Sequence, residues 1–494
     1  MHIPSGKNDD EFQQEFERIL DEAGTGIADF TKFVFPKANY RNREFKARCL
    51  FSGATFTQNA DFCRATFTRN VDFSYATFTQ YADFGWATFM QDANFSHATF
   101  TRSANFYRAT FTQYADFIWA TFTQDADFRW ATFTQNVDFI DATFMQDANF
   151  SQATFTRNAD FRLATFTQYT DFSWATFTQN VDFSWAKLKQ AADFSGAKFF
   201  EAASFRETTF RRDEDLLPGP VFSLAQFSRP EAGVFYKAYL GHALFHNCDV
   251  SKFTFSSVEW RSRNHGGKRM VFEEVAILDD ETTAALKSRV GNGDERDYGL
   301  IAELYQQLKK NYDERKDYWT AGHFHYGEME MKRLQSQSEN PLARWLHRNL
   351  GLVAWYKYAN AYGESYLRPA VVLFVVLAIF TLLFPWAGLE LTENPPSSVS
   401  VVAGQQTPPA ATTSELSYRH FPDFVRAYHG RKWVAAVAFF GNSLMTVLSV
   451  AGFQKELRYE PSYPWGRVLA LLEVLLTSTL AALFLLAIRR QFRR

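Results

Sequence analysis

The sequence predicts a β-solenoid, a rod of stacked coils, followed by an α-helical hairpin and an α-helical membrane domain. Three observations carry that prediction. An eleven-residue phrase recurs fourteen times without a gap over residues 54–207. Within it a large residue returns at alternating steps of six and five, from Phe56, Phe62 and Phe67 onward to Phe205; 27 of these 28 positions are Phe and one is Leu188. Near the C-terminus, residues 369–389 form a 21-residue run without a charge, and 468–488 form a second run interrupted only by Glu473.

The cleanest phrases read ATFTQNADFCR (54–64), ATFTQYADFIW (109–119) and ATFTQDADFRW (120–130). Two residues before each Phe stands a small or β-branched residue, usually Ala and sometimes Val71, Val137 or Thr170. Eleven is also the period of a right-handed helical supercoil. At 100° per residue, however, the two Phe of a phrase would lie about 120° apart, and Thr, Phe, Asp and Asn are poor helix formers. A solenoid meets the same period with Phe stacked in the bore and the preceding Thr or Asp pointing outward.

The units Ala-Asp-Phe-x-x and Ala-Thr-Phe-x-x resemble the pentapeptide-repeat family. The resemblance implies a right-handed quadrilateral β-helix with four units per coil. The family's usual centre is Leu, and the six-residue units here depart from strict fives. Two units of each length make a 22-residue coil, so 154 residues give seven coils and a rod roughly 34 Å long at one strand spacing per coil. Each buried Phe contributes about 1.5–3 kcal/mol, enough for the ladders to carry the fold.

With 494 residues the chain has room for several domains, and a net charge of −2 marks neither a nucleic-acid binder nor a highly acidic protein. Cys49, Cys63 and Cys248 are scattered without metal-site spacing, which fits a reducing compartment and no zinc. The start, MHIPSGKNDDEFQQ, lacks the apolar core of a signal peptide, so the N-terminal half is expected in the cytoplasm.

In chain order, residues 1–53 hold an amphipathic helix over 9–24, with Phe12, Phe16, Ile19 and Leu20 on one face, and an irregular first coil. The helix covers the solenoid's open end. Residues 54–211 are the eleven-residue array. Residues 212–262 hold a charged, proline-bearing break and then strict fives centred on Phe235, Leu240, Phe245, Val250, Phe255 and Trp260, read either as a short second solenoid or as the last coils of the first. Residues 263–340 form a helical hairpin linker bridging solenoid and membrane: Leu300, Ile301, Leu304, Tyr305 and Leu308 share a face, 311–313 make the turn, and Trp319, Phe324, Met331 and Leu334 continue.

A juxtamembrane segment (341–368) leads to transmembrane helix 1 (369–389), an external loop (390–432), a third apolar run (433–453), and transmembrane helix 2 with its basic tail (467–494). Arg344, Arg348, Lys357 and Arg368 precede the first span, and Arg489, Arg490, Arg493 and Arg494 follow the last. A crossing middle run would put the Arg-rich tail outside, against the positive-inside rule. A re-entrant hairpin, broken near Gly441, Asn442 and Ser443, keeps both ends cytoplasmic; a third span is the alternative.

Span, re-entrant segment and span resemble the two-helix pore module of bacterial ion channels. That resemblance implies a homo-oligomer, a tetramer if a channel, in a bacterial inner membrane. The potassium filter is absent; its nearest counterpart is Thr446-Val447-Leu448-Ser449-Val450-Ala451-Gly452-Phe453. Candidate pore-lining residues are Asn442, Ser443, Thr446, Ser449, Gly452, Glu473 and Thr477; a carboxylate in a bilayer faces a cavity or a partner, or snorkels to the interface.

The Asp positions invite comparison with DNA mimics that act on topoisomerases, but 54–186 carries 13 Asp against 7 Arg, far fewer net charges than the about 17 on DNA of that length. Trp86, Trp119, Trp130, Trp174 and Trp185 share one place in the phrase and are expected to form an outward aromatic stripe for a cytoplasmic protein partner or for self-association. Catalysis finds little footing. His323, His325 and Glu328 do not share one helical face and read as surface polar residues; His242 and His246 straddle a solenoid corner without zinc-enzyme partners; His265-Gly266-Gly267-Lys268 lacks a phosphate loop's flanking residues. The sequence thus predicts a non-enzymatic membrane protein with no cofactor or metal. Its solenoid is an interaction or sensing domain on a pore-like module; the alternatives are a membrane-tethered scaffold without conduction and a topoisomerase regulator.

Overall fold

The computed structural model describes residues 9–211, 219–263, 267–278, 298–335, 340–384, 389–391, 432–452, 459–461 and 464–492. The predicted break at 212–218, most of the external loop 390–432, Phe453 and the end of the basic tail lie outside the described residues. Two compact units divide the chain, Met1–Gln335 and Ser336–Arg494.

The first unit is a four-sided solenoid. Short strands, most of them two residues long, stack in parallel into four sheets of eleven, nine, nine and nine strands. Thr55 pairs with Thr77 and Phe56 with Phe78, then Thr77 with Thr99 and Phe78 with Phe100. That 22-residue register follows from alternating five- and six-residue units. Phe56, Phe62, Phe67 and their successors are buried, as is the Ala two residues before each. Rings of successive coils stack face to face, as in Phe56–Phe78 at 4.6 Å and 3°, while rings on opposite faces meet edge-on across the bore, as in Phe106–Phe117 at 5.5 Å and 89°. The bore therefore satisfies both favoured aromatic geometries at every level.

The solenoid is longer than the predicted seven coils. Strands Ile27–Asp29, Val34–Phe35, Ala38–Asn39 and Glu44–Phe45 already complete a coil, so the stretch expected to be irregular is regular. Its centres Phe30, Phe35, Tyr40 and Phe45 are buried at five-residue steps. Beyond 211 three of the four sheets continue: Ala192 pairs with Pro220, Lys198 with Gln226 and Ala203 with Gly233, while the fourth ends at Thr209–Phe210. The strict fives are thus the last coils of one solenoid, and Phe222 and Phe227 join its ladders through Phe194 and Phe199.

Helix α1 (Asp9–Ala23) closes one end. Phe16 stacks on Phe30 and on Tyr40, each at 4.6 Å, and Gly24 leaves the helix at φ 52°. After α2 (Phe272–Leu278), the hairpin of α3 (Tyr298–Glu314) and α4 (Tyr318–Leu334) packs on the other end. The turn lies beyond Glu314 rather than at 311–313. Asn311, expected in the turn, is buried inside α3 and its amide donates to the carbonyls of Val250 and Phe253. Arg315 donates to Phe255 O, and Trp260 Nε1 donates to Tyr312 Oη at 2.9 Å. The hairpin supplies donors to a coil edge with no next coil, so it caps the solenoid.

The second unit comprises α5 (Pro341–Leu350), α6 (Leu352–Asn360), α7 (Leu367–Leu383), α8 (Lys432–Val450) and α9 (Pro464–Phe492), with Leu389–Leu391 paired antiparallel to Tyr459–Pro461. Phe380 and Phe384 of the α7 end pack with Val447, Leu469 and Ala470. Among the described residues one helix is long and apolar enough to cross a membrane, over Pro464–Arg489. The predicted first span is a 17-residue helix that stops at Leu383, about 25 Å against a hydrocarbon core of about 30 Å. The run read as re-entrant is one uninterrupted helix of 19 residues. Gly441 does not break it, and Ser443 Oγ finds its acceptor on the neighbouring helix, Thr381 O, at 2.6 Å.

Candidate functional site

Each Asp-Phe unit ends in a tight turn. Phe62 O accepts from Ala65 N at 2.9 Å while Arg64, third in the turn, sits at φ 57°; this is a type II turn, whose third residue favours Gly. From Arg64 to Trp185 every eleventh residue adopts φ between 55° and 62°, and none is Gly. An L-residue held there costs about 1–2 kcal/mol. Twelve successive corners hold side chains outward at that cost.

The Asp before each Phe fixes the corner. Asp61 Oδ1 accepts from Cys63 N, Asp72 from Ser74 N, Asp83 from Gly85 N and Asp116 from Ile118 N, all within 3.0 Å. Burial pushes the carboxyls of Asp83, Asp116, Asp138 and Asp171 above the ordinary range, and the like charge one coil away adds to it. The Asp ladder is partly buried turn-capping structure. The phosphate-like surface of a DNA mimic is correspondingly weaker.

The five Trp are exposed but do not form one stripe. A phrase is half a coil, so consecutive copies land on alternate corners. Trp86, Trp130 and Trp174 stand on one corner, and Trp119 and Trp185 on the diagonally opposite one. On the first, Arg108 lies between two rings, its guanidinium carbon 4.5 Å from Trp86 and 5.4 Å from Trp130, while Arg64 covers Trp86 from below at 5.9 Å. Trp174 lies over Gly196, where an added Cβ would meet its ring at 2.8 Å. On the second corner Tyr75 stacks on His97 at 4.4 Å, and His97 is parallel to Trp119 at 6.2 Å. The sequence reading missed Arg64, Arg108, Tyr75 and His97, which share the Trp place in the eleven-residue phrase; the 22-residue coil sorts that place into two ladders, Arg64 and Arg108 with Trp86 and Tyr75 and His97 with Trp119.

The candidate pore-lining residues lie on α8 and α9. Ser443, Thr446, Glu473 and Thr477 are buried within the helices of a single chain. Glu473 is fully buried, with neither carboxylate oxygen hydrogen-bonded among the described residues, and Thr477 Oγ1 donates to Glu473 O at 2.7 Å. Ser449 is half-buried in α8, Gly452 follows it at φ 82° and is exposed, and the Asn442 side chain lies outside the described residues. Thr446 to Val450 are helical, so their carbonyls face their own helix rather than an axis.

Asp61, Cys63 and Asp83 bring three potential ligand atoms within 4.8 Å of one another. Arg41 already supplies the cation there: its Nε donates to Asp61 at 2.9 Å, a second N–H donates to Cys63 Sγ at 3.2 Å, and it lies 3.7 Å from Asp83. Burial pushes the Cys63 thiol up, away from the thiolate a metal requires. The hairpin cluster expected at the surface is interior. Glu328 is buried and accepts from Lys332 at 2.6 Å, lies 3.5 Å from Lys309 of the facing helix and 3.4 Å from His325. It clamps α3 to α4. Glu273, at the start of α2, lines a cavity of about 260 Å³ with Cys248, Leu304 and Gln307, and accepts from Phe245 N; burial pushes its carboxyl up to about 7.

Residues 64–110, 87–129, 106–154 and 131–174 match the family described as Pentapeptide repeats (9 copies), and no family match falls on the C-terminal helices. No curated protein and no solved structure matches the chain.

Proposed function

We propose that this pentapeptide-repeat chain is a non-enzymatic interaction scaffold tethered to a lipid bilayer, with the solenoid and C-terminus on the cytoplasmic side. The observation that carries the reading is the pair of diagonal corners, where Trp and Arg are held outward in a backbone conformation that Gly would adopt without strain. Local strain maintained at twelve turns is spent on display, and exposed Trp with Arg is the composition of protein-binding anchors. The partner is a cytoplasmic protein whose acidic and apolar groups meet Arg108 between Trp86 and Trp130. The apolar helices α7 to α9 supply the tether.

A second reading, an oligomeric ion channel of four chains, draws on one observation: Glu473, buried beside Thr477 in an apolar helix with no hydrogen-bond partner for its carboxylate among the described residues. The apolar helices of one chain, α7 to α9, cannot enclose a pore, so conduction requires several chains. The purified chain in planar bilayers separates the two. The scaffold gives no unitary currents at any protein density, whereas reproducible unitary currents from a tetrameric mass species, abolished by Glu473→Gln, would replace it with the channel.

A further inference from the structure

Helix α5 stands apart from the other helices of its unit because none of its residues is buried. Asn340 caps it by accepting from Leu342 N at 2.9 Å, Pro341 opens it, and Gly351 ends it, so its ten residues are helical by their own signals. At 100° per residue Leu342, Trp345, Leu346 and Leu350 fall within one arc of about 140°, while Arg344, His347 and Arg348 occupy the opposite side. The arc is open: Leu342 is 64%, Trp345 55% and Leu350 54% exposed. Asn349 falls inside it, but its amide donates to Trp345 O, so its polarity is turned back onto the helix. Leu352 and Trp355 of α6 extend the exposed apolar surface. From 340 to 363 the sequence carries Arg344, Arg348, Lys357 and His347 and no acidic residue.

We infer that α5 lies in the plane of the bilayer surface, with Leu342, Trp345, Leu346 and Leu350 in the headgroup–acyl boundary and Arg344 and Arg348 on anionic phospholipid headgroups. A short helix with a wide apolar arc, a Trp within it and basic residues opposite has the composition of an interfacial helix. The charge selects an anionic lipid surface over an acidic-free one, because cationic side chains near such a surface are attracted within a Debye length. The inference rests on the membrane reading above, since only 16 residues separate the end of α5 from the start of α7.

The test uses the full-length chain in nanodiscs of phosphatidylglycerol and phosphatidylethanolamine. Cys49, Cys63 and Cys248 are buried, so introduced thiols can be spin-labelled selectively. Labels at Trp345→Cys and Leu346→Cys are expected to be accessible to oxygen and shielded from a water-soluble paramagnetic chelate, His347→Cys to show the reverse, and Leu475→Cys on α9 to be oxygen-accessible as the control. In phosphatidylcholine alone, and in Arg344→Gln/Arg348→Gln, the label at 345 should shift towards the chelate. If 475 is lipid-exposed while 345 and 346 meet the chelate as freely as 347, the α5 inference fails and the tether stands. Shielding of 345 from both reagents would mean a protein covers the face, and overturns it also. Chelate access at 475 would remove the membrane reading itself.

Discussion

The solenoid bore and the C-terminal helices are built from the same kind of residue and dispose of it in opposite ways. In the bore, Phe56, Phe106 and Phe128 are fully buried by the coils above and below. On the helices Phe374 is 74% exposed, Leu471 64% and Leu475 60%. A coil needs only another coil to remove its aromatic surface from water, so the first unit supplies its own interior. The helices require an apolar surrounding to do the same. The most direct way to break this contrast is truncation on each side. Phe128→Ala should cost about 3–5 kcal/mol, the range for a large buried ring with a cavity left behind. Leu475→Ala should change folded stability in detergent by no more than about 0.5 kcal/mol. Chemical unfolding followed by hydrogen exchange reads both, and equal costs would mean that Leu475 belongs to a packed core.

The bore was legible in the sequence because the Phe ladders need one identity at one register, coil after coil. Its ends were not. Tyr40 and Glu44 replace the usual residues of the first coil, and the coil beyond residue 211 reaches Pro220 only after a longer excursion, so repetition fades while the pairing persists. The corner stripe was misread for a geometrical reason: the phrase is half the coil, so one place in the phrase maps to two diagonals. In the second unit the apolar runs were visible, but their limits are set by contacts sequence does not carry, such as Phe384 on Val447 and Leu389–Leu391 on Tyr459–Pro461.

Solenoid and hairpin also respond to acid with opposite signs. Burial would raise the Glu328 carboxyl, but hydrogen bonds from His325 and Lys332 and the charge of Lys309 hold it at about 2. Its folded value lies below the unfolded one, so its contribution is complete above pH 4.5 and is lost as pH falls towards 2. Asp83, Asp116, Asp138 and Asp171 are raised by burial, so their contribution is complete below the unfolded value and is lost as pH rises through the folded one. Glu273, at about 7, has the same sign as these Asp. Between pH 5 and pH 3 the hairpin amides should therefore lose hydrogen-exchange protection while the coil amides keep theirs. Glu328→Gln should abolish the acid response of α3 and α4. Loss of coil protection first would reverse the assignment.

A small effect is expected at the corners, and there the sign matters more than the size. Trp130→Gly removes a ring from the guanidinium of Arg108, a contact worth about 0.5–1 kcal/mol at an exposed site, and releases a backbone held at φ 60°, worth about 1–2 kcal/mol. The two nearly cancel, so thermal stability should stay within about 1 kcal/mol of the parent. Trp130→Ala loses the ring and keeps the strain, and should be less stable than Trp130→Gly by about 1 kcal/mol. A core residue would behave otherwise, since Gly and Ala would both leave a cavity and Gly would be the worse. If the Gly variant is the less stable of the two, the corner is structural and the Trp–Arg ladder is not a displayed surface. If it is equal to the parent in stability, any loss of partner binding in it belongs to the ladder and not to the fold.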